Sequence, residues 1–275
     1  MSIGIIVRLT IREAARRKVV LGLLVLGVVF LVLYTLGWVF VKSQMRIPKS
    51  SPFSLRDGYN FLLIAGLYAA NFLIVMLSVL VSVDTVAGEI SSGTIQSIAV
   101  KPLPRRDILL GKWLGFVIML GGCVLALAGG VILITAIVSG GYFAPNSLGG
   151  LALMYLESLV LLSITLLGGT RLSTLANGVL GFGLFGLALI GGWIEQVGSF
   201  LNSTAAISIG QITSLIMPSE ALWRLVQSNL SEGLNPFKLM FSLSSEPDQG
   251  MVIYAVVFAA ALLLLAMRSF QRRDL

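Results

Sequence analysis

The sequence contains no histidine and only one cysteine in 275 residues. Without imidazole there is no histidine base and no histidine-held metal. The lone thiol, Cys123, cannot close an internal disulfide or build a thiolate cluster. It lies in an apolar run, where a small buried hydrophobe is the simplest reading. Charge is also scarce: Asp, Glu, Lys and Arg make up 11%, against about 25% in a soluble domain. No G-x-x-x-x-G-K-[ST] phosphate loop occurs. Gly111-Lys112 is followed by Trp113, and the upstream glycine is missing. These absences leave no sign of a catalytic, cofactor-binding or metal site, or of an ATPase site within this chain.

What the chain does have is apolar length. It is 57% hydrophobic, with a mean hydropathy of +0.97. A core of this size cannot hide that many apolar side chains from water, so lipid must solvate much of the surface. Six runs approach the twenty apolar residues that cross a bilayer: 19–41, 61–83, 113–138, 148–167, 172–194 and 251–267. The first is too long for a cleaved signal core and no small-x-small site follows it. The expected fold is an all-α integral membrane protein, one domain over residues 1–275.

The net charge of +7 points to topology rather than to nucleic acid, because the positive residues cluster beside the spans. With the N-terminus inside, thirteen of the nineteen Lys and Arg fall on the inner side. The first outer loop weakens the bias, since it holds Lys42, Arg46, Lys49 and Arg56. The expectation is a multi-pass protein of the cytoplasmic membrane with both termini cytoplasmic.

Residues 1–18 read as an interfacial helix. Ile3, Val7, Ile11 and Ala14 share one face, and Arg8, Arg12 and Arg16 form a stripe on another. The plainer alternative is an ordinary positive flank. Residues 195–250 read as an extracytoplasmic loop with short helices. Pro218-Ser219-Glu220 marks a helix start there, and Trp223 and Arg224 suit a membrane interface. A further crossing inside this loop is the alternative. Glu157 is the one carboxylate well within a predicted span. A charge at that depth costs at least about 2.5–3.5 kcal/mol on insertion scales. It belongs either to a substrate path or to a structural hydrogen bond between helices. Asp84, at the end of the second span, reads as solvated. Gly122, Ala126 and Gly130, and then Gly178, Gly181, Gly183, Gly186, Ala188 and Gly192, offer small-residue faces for helix packing.

The most informative segment is 84–112, a charged stretch between the second and third spans. It contains Gly88-Glu89, Gly93-Thr94, Pro104-Arg105 and Gly111-Lys112 in that order. This pattern, with six spans, an amphipathic start and a long outer loop before the last span, resembles the ABC-2-type permeases of ABC transporters. Residues 89–100 have the length and spacing for a short helix, with Ile90, Thr94, Ile95 and Ile98 at roughly helical intervals. Pro102 and Pro104 then end it.

The resemblance implies a cytoplasmic coupling helix docked on a separate ATPase subunit. Glu89, Ile90, Gly93, Thr94, Ile95, Ile98, Pro104, Arg105 and Arg106 are the candidate coupling residues. It also implies a second permease copy or paralogue, and transport of an unidentified substrate, as export. Lipid is the surrounding partner and nucleic acid is not one. The competing class is an ATP-independent carrier or membrane scaffold. Against a carrier, Glu157 alone offers a deep ionisable group and the two halves show no internal repeat.

Overall fold

The computed structural model describes residues 2–44, 55–91, 105–230 and 248–272. These residues form nine helices and no strand. In chain order they are α1 (Ser2–Arg16), α2 (Lys18–Gln44), α3 (Leu55–Ser91), α4 (Arg105–Ser139), α5 (Ser147–Gly169), α6 (Thr174–Phe200), α7 (Thr204–Ile216), α8 (Ser219–Leu230) and α9 (Gly250–Gln271). Six of them, α2, α3, α4, α5, α6 and α9, are long and apolar enough to cross a membrane. Five of them contain a predicted span whole, extended at one or both ends by less apolar residues; α6 starts two residues after its predicted span, at Thr174, and runs six residues past it. The protein is an all-helical, multi-pass membrane protein.

Contacts between helix ends fix an alternating up-and-down order. At one end, Arg17 pairs with Asp84 at 3.4 Å, and Thr174 Oγ1 donates to Asp84 at 3.1 Å. Lys112 Nζ donates to the Thr85 carbonyl, and Thr170 to Ser269. The starts of α2, α4 and α6 therefore meet the ends of α3, α5 and α9 here, beside α1. At the far end, Asn60 donates to Tyr142 Oη and to the Leu230 carbonyl. Asn146 donates to Asn229, and the rings of Trp38 and Tyr59 meet at a tilt, centroids 5.3 Å apart.

Helix α5 is the centre. Fourteen of its 23 residues are buried, whereas α2 buries only Val20, Gly27 and Trp38 and exposes a long apolar face that lipid must cover. Buried hydroxyls bind the middle layer: Ser78 Oγ donates to the Ser158 carbonyl at 2.7 Å, and Ser82 meets Thr165. Asn177 donates to the Thr165 and Val83 carbonyls, tying α6 to α5 and α3. Such bonds satisfy polar groups that hydrocarbon cannot.

Helix α1 lays Thr10 and Ala14 inward, both buried, and leaves Arg8, Arg12 and Arg16 exposed. Its close approach to α4 depends on Gly111 and Gly115. A Cβ at Gly111 would sit 2.7 Å from Ile6 Cβ, and one at Gly115 2.9 Å from Thr10 Cβ. Asp84 is not simply solvated: Arg17 and Thr174 both hold it.

Candidate functional site

Two places invite a functional reading, and the structure treats them differently. The first is the segment between α3 and α4. Helix α3 runs without a break for 37 residues to Ser91, so Glu89 and Ile90 occupy its last turn. Gly93, Thr94, Ile95, Ile98 and Pro104 lie outside the described residues. Arg105 opens α4. Arg106 is largely exposed, with Nε 3.8 Å from Asp107 Oδ1.

The second place lies inside the bundle and is built by the chain after α5. Helix α6 does not stop near residue 194; it continues to Phe200 and carries Glu195 into the protein. The chain then reverses, and α7 packs back along α6. That approach needs glycine on both helices: a Cβ at Gly198 would fall 2.5 Å from Ala206 Cβ, and one at Gly210 2.3 Å from Glu195 Cβ. At its tip Met217 is extended, φ −142° and ψ 104°, as expected for a residue before proline. The Leu222 amide then donates to the Pro218 carbonyl as α8 begins. Leu230, at the other end of α8, lies against Gly150 near the start of α5, so α7 and α8 form a hairpin that dips into the bundle and returns.

The hairpin brings charge with it. Arg224 Nη1 lies 2.9 Å from Glu195 Oε1, with side chains only 8% and 2% exposed, and Arg224 also donates to Ser214 Oγ. Trp223 and Arg224 are thus buried rather than interfacial. Glu195 supplies the partner that makes a guanidinium tolerable there. Four residues before Arg224, Glu220 is buried against α6, where Gly192 leaves room for it.

Glu220, Glu157, Asn71, Tyr68 and Trp223 share one small cavity, closed by Phe72, Phe185 and Leu189. Glu157 stands near the middle of α5, 1% exposed, about 15 Å of helical rise from Ser147 and about 18 Å from Gly169. Asn71 Nδ2 donates to its Oε2 at 3.0 Å. The hydrogen-bonded reading of Glu157 is therefore present in the geometry, and so is a cavity beside it. Among the described residues no group of three or more metal-ligating side chains gathers.

Sequence reading found Glu157 but not Glu195, Glu220, Arg224 or Asn71. The available signal was Glu220 and Arg224 at i and i+4 on a short helix. It does not disclose burial.

The predicted small-residue faces also divide. Gly130 faces Leu31, and Gly181 faces Thr165 and Val79, while Gly183 and Gly186 meet nothing within 4 Å.

A family model described as ABC-2 family transporter protein matches residues 5–275. No curated protein matches the chain.

Proposed function

The chain belongs to the ABC-2 family of transporter proteins as a permease component, and from that premise we propose that it exports its substrate across the cytoplasmic membrane on ATP hydrolysis by a separate subunit. The observation that carries this reading is the continuity of α3. One helix of 37 residues, about 55 Å long, joins Tyr68 and Asn71 at the buried cavity to Glu89 beside the segment that leads to α4. A rigid helix transmits displacement. Movement of the 84–112 region by an ATPase reaches the cavity through α3 without an intervening joint.

Orientation follows the charge. Arg8, Arg12, Arg16, Arg17, Lys18, Arg106, Lys112, Arg171, Arg268 and Arg272 gather at the α1 end, while Lys42 and Arg56 mark the far end. This supports a cytoplasmic α1 end, with α1 lying in the inner interface. Two permease copies then enclose the path. The exposed aromatic row Phe61, Tyr68 and Phe72 on α3 and the open Gly183 and Gly186 on α6 favour these two helices as the twofold contact. A native mass showing one permease per two ATPases would remove the dimer.

The coupling assignment has its own test. Glu89→Ala and Ile95→Asp leave insertion intact and weaken co-purification with the ATPase roughly tenfold, the equivalent of about 1.4 kcal/mol. Transport falls with it while hydrolysis continues. If both variants bind the ATPase and transport as the parent does, the 84–112 region is not the coupling element.

A further inference from the structure

The buried cavity holds an unbalanced set of groups. Two carboxylates, Glu157 and Glu220, line it and no Lys or Arg does; outside the lining, Arg224 lies 2.9 Å from Glu195. The two carboxylates therefore face the cavity with no cation in its wall. A second observation is independent of charge. Asn71, 5% exposed, spends its amide Nδ2 on Glu157, and its Oδ1 has no hydrogen-bond partner. A buried amide oxygen left open is destabilising, and Asn71 lines the same cavity. The open polar atom in the wall is an acceptor, Asn71 Oδ1, and a donor that also carries positive charge suits it and the two carboxylates.

Size and walls define that donor. The cavity is about 20 Å³, room for one group the size of a water molecule. A primary ammonium is that size and has three N–H donors, matching two carboxylates and one amide oxygen. The rings of Tyr68, Phe72, Phe185 and Trp223 surround it, and aromatic faces attract organic cations. Tyr68 and Phe72 are 42% and 49% exposed on the lateral surface of α3. An apolar tail can leave the cavity there and remain in lipid or at the proposed interface between copies.

We propose that Glu157, Glu220 and Asn71 form a site in the middle of the membrane for the primary ammonium group of an amphiphilic substrate. This assignment rests on the permease reading for its meaning as a transport site, but its chemistry is tested without an ATPase. The full-length chain is placed in lipid nanodiscs and titrated with octylammonium, with octanol as the uncharged probe of equal length. Octylammonium binds saturably, and Glu157→Gln with Glu220→Gln weakens it at least tenfold.

A second measurement needs no substitution. A hydrophobic carbodiimide modifies Glu157 and Glu220 in the unaltered protein, and octylammonium, not octanol, protects them. Equal protection by octanol, or binding by the double variant within twofold of the parent, overturns the site. Displacement of octylammonium by millimolar sodium, but not by choline, also overturns it, in favour of a metal-ion site. Octylammonium binding without ATP-driven transport would sink the exporter reading and keep the site. Transport without such binding would do the reverse.

Discussion

Two guanidinium–carboxylate pairs that each join separate helices, Arg17–Asp84 and Arg224–Glu195, have the same chemistry in opposite surroundings. Arg17 and Asp84 meet at 3.4 Å at the α1 end, with side chains 23% and 50% exposed. Arg224 and Glu195 meet at 2.9 Å inside the bundle, almost sealed. The first pair has water and a second carboxylate, Glu13 at 2.7 Å, within reach of the same arginine. Losing one partner there leaves a solvated charge. The second pair has no water to fall back on. Removing either partner strands an ion in a medium where desolvation dominates. What a salt bridge contributes is decided by where it lies, and two pairs in one chain make that measurable.

The largest effect is expected from breaking the buried pair. Arg224→Ala or Glu195→Ala should each cost about 3–5 kcal/mol, the range for an uncompensated buried charge. The check is unfolding of the purified protein in detergent, followed by helical signal. Replacing both with apolar residues, Arg224→Met with Glu195→Leu, should recover most of that loss. If each single variant loses less than about 1 kcal/mol, the hairpin does not hold Arg224 away from water.

A smaller effect reaches the same region without touching charge. Gly210→Val forces a side chain into space already held by Glu195 Cβ and the Gly191 carbonyl, and overpacking costs about 1–3 kcal/mol. The hairpin should loosen from α6, and Ala221→Cys, a buried position on α8, should in a Cys123→Ala background become reactive to water-soluble maleimide in the valine variant only.

The smallest effect belongs to the exposed pair. Asp84→Asn should change stability by about 0–1 kcal/mol, and raised salt should erase the difference. An effect as large as that of Arg224→Ala would mean the α1 end is far drier than its exposure indicates.

The contrast also separates what could be read early from what could not. Six spans were legible because each is a local property: about twenty apolar residues in a row satisfy their backbone within one helix and their side chains in lipid. The paired faces of α1 were legible for the same reason, since 3.6-residue periodicity is local. Segment 84–112 carried the resemblance to the family, and Gly93 to Ile98 and Pro104 lie outside the described residues. The hairpin was only half legible. The helix start at Pro218-Ser219-Glu220 shows in the sequence, within a loop expected to hold short helices. Its path does not, because Trp223 and Arg224 have the composition of an interface anchor.

By itself, then, the sequence determined the class of solvent, the number of crossings and the bias of charge, all of which depend on neighbours along the chain. Only the tertiary structure decided that Glu195 lies in a helix and meets Arg224, 29 positions away. It alone brought Glu220 from the hairpin and Asn71 from α3 to one cavity with Glu157. Carboxylates in a membrane protein are tolerated or useful according to the donors that surround them. Those donors are gathered by glycine-permitted contact between α6 and α7 and by the reversal at Met217-Pro218, which no local pattern of hydrophobicity encodes.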